Sequence, residues 1–286
     1  MRVLVVGAGI LGASVAYHLA RMGVSVEVID AQHPGKATMA GAGIVCPWAT
    51  KVEEPQWYRL YAAGARYYDA LIAGLAEKGE TNLGYGKVGA LVVAEDQGEF
   101  DTAKKRVEQR VKDAPEAGSV QHISPQEAQR LFPPLREGME ALFIPGAARV
   151  DARLLSAAML RAAFVLGATV RNDFVSLAMD GDRVVARDGR GEVVAADEIV
   201  VTSGAWAAQI LGPLGLLHPV APQKGQIVHL RLPGVDTSKW PTLLPMGSHY
   251  LLAFDDSRVV IGATREDGSG FDYRVTAAGQ QEVLNA

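Results

Sequence analysis

Met1-Arg2-Val3-Leu4-Val5-Val6-Gly7-Ala8-Gly9-Ile10-Leu11-Gly12 opens the chain, followed by Ala13 to Met22, Gly23, Val24 to Ile29 and Asp30. The order is an apolar strand, a glycine turn, a helix, a second strand and an acid. That is the dinucleotide-binding fingerprint in the context it requires, not a bare glycine pattern. Gly7 permits a tight turn off the first strand, Gly9 lets backbone approach a pyrophosphate, and Gly12 lets the helix pack closely. Ile10 and Leu11 open that helix, whose first N–H groups and positive dipole end suit phosphate. Leu11, Val15 and Leu19 recur every four residues and are expected to face the sheet. Asp30 suits the ribose hydroxyls and repels a 2′-phosphate, which disfavours NADP.

Val3 to Ala20 is almost uncharged and follows Arg2, a pattern that signal peptides and membrane spans share. The three spaced glycines, His18 and the second strand ending in Asp30 favour the nucleotide reading. The fingerprint alone leaves FAD and NAD both open.

Composition narrows the remaining classes. The 286 residues suffice for one large or two ordinary domains. A net charge of −4 gives no basic footprint, so nucleic acid is not an expected partner. The single cysteine, Cys46, excludes an intrachain disulfide framework and fits a reducing compartment. A cytoplasmic location follows as the expectation, with peripheral association at the inner membrane compatible and no integral span. The six histidines show no metal-ligand spacing, so no metal site is expected. Assembly stays open, a homo-oligomer included.

Residues 34–48 read as a loop of small residues suited to close approach of a flat ligand. Helices are expected over 58–77, 100–113, from Pro125 and over 152–166. The charge run of the second of these reads as a solvated face. Strands are expected over 88–93, 169–171, 184–187, 192–195 and 198–202, and antiparallel-type strands over 220–232, 250–254 and 259–263. The fold class is therefore α/β. A Rossmann-like domain with a parallel sheet takes residues 1–85 and 145–218. A discontinuous, mainly antiparallel-sheet substrate domain takes 86–144 and 219–286.

Six blocks, in order, together resemble one family: Val5 to Gly12 with Asp30; Thr38 to Ile44; Arg149-Val150-Asp151; Val200 to Trp206; Pro222-Gln223-Lys224-Gly225-Gln226; and Tyr250-Leu251-Leu252 with Arg258 to Thr264. The chain is identified by them as a member of the FAD-dependent D-amino acid oxidase superfamily, which includes glycine oxidase, sarcosine oxidase and small D-amino acid dehydrogenases. The resemblance implies that Gly7, Gly9, Ile10, Leu11 and Gly12 receive the FAD pyrophosphate. It implies that Asp30 binds the adenosine ribose with Ala31 beside it. Lys36, Thr38, Met39, Gly43 and Ile44 would line the flavin path. The Val175 backbone would meet adenine, and Ser203, Gly204 and Trp206 would lie near the cofactor. Tyr250 would point into the substrate pocket as the catalytic candidate, its alternative being a half-buried strand tyrosine.

The implied activity is oxidation of the C–N bond of a small amino acid or amine, of D-amino acid or glycine type. It runs by hydride transfer to flavin N5, with oxygen or a quinone as electron acceptor. An NAD-dependent dehydrogenase and an inactive nucleotide-binding fragment are the rival readings. The chain departs from the family at Ala253-Phe254, where Pro-Arg is usual. The resemblance also implies that the family's C-terminal segment, with its carboxylate-clamping arginine and final glycine-rich piece, lies outside these residues.

Overall fold

The computed structural model describes residues 1–247 and 249–285. In chain order it begins β1 (Arg2–Val6), α1 (Ile10–Arg21), β2 (Ser25–Asp30), the one-turn α2 (Ala37–Ala40) and β3 (Ile44–Val45). Next come α3 (Pro55–Ala76), β4 (Ala90–Val93), α4 (Gln97–Val111), β5 (Gln121–Ile123), α5 (Pro125–Leu131), β6 (Ala141–Ile144) and β7 (Ala148–Arg149). Then follow α6 (Ala152–Val165), β8 (Thr169–Asn172), β9 (Val175–Asp180), β10 (Arg183–Asp188), β11 (Val193–Val194) and β12 (Glu198–Val201). The chain closes with α7 (Ala207–Leu211), β13 (Ile227–Arg231), β14 (Thr242–Pro245), β15 (Tyr250–Ala253), β16 (Arg258–Gly262) and α8 (Ala277–Asn285).

Two sheets carry the architecture. The first has four parallel strands in the order β12-β1-β2-β8, so the apolar run before Thr202 returns beside the opening strand, with Val5 opposite Val200. This is the Rossmann-like half. The second has seven strands in the order β13-β16-β15-β14-β4-β6-β5 and is antiparallel except where β14 runs parallel to β4. A β9-β10-β11 meander covers the first sheet, burying Val175, Leu177, Ala186 and Val194 against Leu4, Val6 and Ile29. The two-stranded β3–β7 ladder pairs Ile44 with Arg149.

Several expectations change. Leu11 does not face the sheet: it is 61% exposed, and Val15 and Leu19 are only half-buried. The buried stripe of α1 is Ala13, Ala16, Tyr17 and Ala20. The three alanines and Tyr17 pack in one core with Ala158, Ala162 and Ala163 of α6, so these residues set the helix's orientation more than the leucines do. Residues 34–48 are not one loop but contain α2, β3 and a 3₁₀ turn over Pro47–Ala49. The strand expected over 220–232 is confined to Ile227–Arg231. The charge run on α4 is not wholly solvated. Arg110 lies over the Tyr58 ring and donates to the carbonyls of Trp48, Thr50 and Val52.

Candidate functional site

The nucleotide corner forms where β1 runs into α1. Gly7 has a φ of +108°, which an L side chain rarely adopts, and its N–H donates to Ile29 O at 2.8 Å. A Cβ on Gly12 would overlap Gly7 O outright and lie 2.7 Å from Thr202 Oγ1. The Thr202 hydroxyl lies between the two loops, 3.0 Å from Val6 O and 2.9 Å from Gly7 O. Thr202 therefore fixes the turn from the far end of the chain. Sequence reading missed this role, although its signal was present as the polar residue ending the apolar strand at 198–201.

Thr38 Oγ1 accepts from Ile10 N at 2.9 Å, satisfying one of the N–H groups that a helix start leaves without an intrahelical partner. It also stands 3.3 Å from where a Cβ on Gly9 would lie. The loop at Thr38 is thus drawn onto the mouth of α1.

Asp30 is 5% exposed and gathers three donors. Ala8 N reaches Oδ2 at 2.6 Å, while Gln32 N at 2.7 Å and Lys36 Nζ at 2.6 Å reach Oδ1. Burial would raise its carboxyl, but the bonds from Lys36, Ala8 and Gln32 outweigh it and hold the group below the ordinary carboxylate range. Lys36 is accordingly turned onto Asp30, and Ala31 follows at the corner's rim. Val175 is buried against the underside of the same sheet.

On the opposite wall, Ser203 Oγ is buried with no hydrogen-bond partner among the described residues. A Cβ on Gly204 would meet nothing within 4 Å. An unpaired buried hydroxyl, a side-chain-free ridge and a helix N-terminus around one carboxylate fit the pyrophosphate and ribose of FAD. When bound, the flavin supplies the two-electron redox chemistry that these side chains lack.

The loop beyond Thr38 is held by the chain itself. Gly43 (φ +84°) lies so close to Val150 that a Cβ would overlap Val150 O, and Val150 N donates to Gly43 O at 2.9 Å. Met39 is exposed on this loop, while Ala42 and Ile44 pack with Tyr250, Leu252, Phe254 and Val260 in one apolar cluster. Tyr250 stands opposite Gly262 in the β15–β16 ladder, and its hydroxyl is 2.5 Å from where a Gly262 Cβ would lie. The phenol therefore lies flat over a bare stretch of strand. Burial pushes it up from its ordinary value, partly offset by Arg265, so it is a neutral donor at physiological pH.

Arg149-Val150-Asp151 ties this loop to the strands carrying Tyr250 and Gly262. The buried Arg149 guanidinium donates to Gly84 O at 2.9 Å and Ser238 O at 3.3 Å, pairs with Asp255 and lies over the Phe254 ring. Asp151 caps α6 and accepts from Arg258 at 2.9 Å and Arg153 at 2.6 Å. Burial opposes its ionisation, but Arg153 and Arg258 hold the carboxyl well below the usual range. Arg258 also stacks on Phe254, 4.2 Å from its centroid. The departure at Phe254 thus has a physical content: its ring is the plate on which two guanidinium groups rest.

Trp206 stacks on His33 (centroids 4.8 Å apart) and on Phe271 (5.0 Å). A surface depression lies elsewhere, where Arg171 joins Glu27, Asp173 and Asp188 at the sheet's edge. Arg171 is paired with all three carboxylates, so the cluster reads as structural. No helix among the described residues is long and apolar enough to cross a membrane.

Comparison with known proteins agrees with this fold. The chain is 46% identical to an uncharacterized oxidoreductase, YurR, of Bacillus subtilis, over 99% of this chain and 76% of that one. The crystal structure of iminodiacetate oxidase from Chelativorans sp. BNC1 superposes with a TM-score of 0.98 at 65% identity, covering 99% of this chain and 77% of that one. Glycine oxidase from Geobacillus kaustophilus superposes with a TM-score of 0.87 at 29% identity, covering 99% and 76%. The family model described as DAO, FAD dependent oxidoreductase, matches residues 2–286, and the chain belongs to that family.

Proposed function

We propose that this chain oxidises the C–N bond of a small amino acid or secondary amine of glycine type, with FAD as cofactor. The observation that carries the reading is Tyr250, a neutral phenol lying over Gly262 and packed in one cluster with Ala42 and Ile44 of the loop beside the nucleotide corner. Similarity to an iminodiacetate oxidase and to glycine oxidases supports the substrate class.

In this reading Gly7, Gly9, Ile10, Leu11 and Gly12 hold the pyrophosphate, Asp30 and Ala31 the ribose, and the Val175 backbone the adenine. Lys36, Thr38, Met39, Gly43, Ile44, Ser203, Gly204 and Trp206 line the rest. FAD held by these residues would supply the two-electron acceptor for a hydride from the substrate α-carbon. The substrate amine enters neutral so that its lone pair supports the developing imine, which water then hydrolyses to the keto acid and the released amine. Tyr250 donates a hydrogen bond to the substrate and fixes its orientation, which is the kind of help this chemistry needs more than a dedicated base. Oxygen or a quinone would serve as the final electron acceptor. Residues 1–85 and 145–218 form the cofactor-holding domain, and 86–144 with 219–286 the substrate domain. We place the protein in the cytoplasm, with a homo-oligomer as a compatible assembly.

Anaerobic bleaching of the flavin's visible band on iminodiacetate, glycine and a D-amino acid panel tests the reading. Bleaching is expected with at least one of these amines. Tyr250→Phe should lower kcat/KM about 10- to 100-fold, the range for a hydrogen bond to a charged group. A flavin reduced by none of them overturns the proposal.

A further inference from the structure

Residues 265–275 leave the sheet that carries Tyr250 and touch down on the nucleotide side of the molecule. Both ends are tied to one buried residue. Gln226 N donates to Thr264 Oγ1 at 2.9 Å, Thr276 N donates to Gln226 Oε1 at 2.8 Å, and Gln226 Nε2 donates to Thr276 Oγ1 at 3.0 Å. Between those ties Lys224, whose side chain is 8% exposed, faces Asp272 at 3.4 Å and Glu266 at 3.6 Å. The Pro222-to-Gln226 block thus has work that a strand assignment does not explain: it moors this segment.

The middle of the segment makes the far contacts. Phe271 stacks on Trp206 with planes 19° apart, and Trp206 stacks on His33 with planes 9° apart. The Tyr273 ring occupies the space that a Cβ on Gly35 would take. His33 and Gly35 flank the Asp30–Lys36 pair, and Trp206 follows Ser203 and Gly204. Every touchdown point therefore borders a residue assigned to the cofactor.

We propose that residues 265–275 are a strap that retains the cofactor, with Phe271 as a positioning residue acting through Trp206 and His33, and that FAD leaves only when the strap lifts. The proposal rests on FAD occupying the nucleotide corner. The three-ring stack sets the strength of the hold and the Gln226–Lys224 mooring sets its hinge points.

The test follows FAD release from the reconstituted protein, by recovery of flavin fluorescence after dilution, together with hydrogen exchange of residues 265–276. Phe271→Ala is expected to speed release about 3- to 10-fold, the range that an aromatic contact supports, and to raise exchange in the strap. Phe271→Tyr should restore the slow rate. Tyr273→Ala, which removes the ring over Gly35 at a residue 47% exposed, is expected to give the same readout. Release unchanged in Phe271→Ala and Tyr273→Ala from protein that holds FAD overturns the strap alone. A wild-type protein that takes up no FAD overturns both the strap and the cofactor placement beneath it.

Discussion

Apart from the Thr202 hydroxyl, which reaches Gly7 across 195 residues, the nucleotide corner is built over shorter distances along the chain than the seam under Tyr250. At the corner, Ala8 reaches Asp30 across 22 residues and Ile10 reaches Thr38 across 28. At the seam, Arg149 reaches Gly84 across 65, and Arg258 reaches Asp151 across 107. The corner is fixed mainly by backbone that approaches backbone, which needs glycine. The seam is fixed by buried charge, which needs a partner for each ion. One region fails by steric overlap and the other by loss of a counter-charge. The substitutions that separate them are therefore of different kinds.

The largest effect on cofactor binding is expected at the corner. A Cβ on Gly12 meets backbone, Gly7 O, which has no rotamer to move aside. Gly12→Val should cost stability at or above the roughly 1–3 kcal/mol typical of overpacking and should also abolish FAD retention through gel filtration. A variant that keeps wild-type flavin content and melting temperature would show that the turn is looser than the glycine geometry states.

At the seam, removing one ion should matter according to what it leaves behind. Asp151→Ala leaves Arg258, whose side chain is 17% exposed, with only the half-exposed Asp256 at 3.4 Å as counter-charge, and removes the cap of α6. The expected loss is about 3–5 kcal/mol in urea denaturation. Arg149→Met leaves Asp255, which is 70% exposed and simply hydrates, although the carbonyls of Gly84 and Ser238 lose their donor. That loss should be smaller, about 1–3 kcal/mol. Equal losses in the two variants would remove the distinction between stranded and solvated partners.

The same contrast explains what could be read in advance. The β1–α1–β2 unit is legible because its glycines, strand periodicity and terminal acid lie within thirty residues and each has one physical use. Tyr250 and Gly262 are legible only as a family pattern, because nothing local says that the phenol lies over that glycine. The partners of Thr202 and Arg149, and the pairing of Asp151 with Arg258, are not legible, since they lie far along the chain. The strands Gln121–Ile123 and Ala141–Ile144 are too short for a period to show, and they form only because Val93 and Ala90 lie alongside Ala141 and Ile144. Val175–Asp180 could have been found. Its first three residues alternate buried, exposed, buried, which is the strand signature on a half-covered face.

The smallest effect is acid sensitivity, and it distinguishes the two regions by the number of cations around each carboxylate. Asp30 and Asp151 both ionise below their ordinary range in the folded chain, Asp30 facing Lys36 and Asp151 facing Arg153 and Arg258. Unfolded aspartates titrate near 3.9, so at lower pH the unfolded chain binds protons that these folded carboxylates refuse. Their stabilisation is therefore complete above that value and declines as pH falls through the folded pKa values. In urea titrations at pH 7 and at about pH 3, Asp151→Asn should remove more of the acid-induced loss than Asp30→Asn, because two guanidinium groups face Asp151 and one ammonium faces Asp30. Should Asp30→Asn flatten the profile more, the nucleotide corner rather than the seam would be where acid first opens this fold.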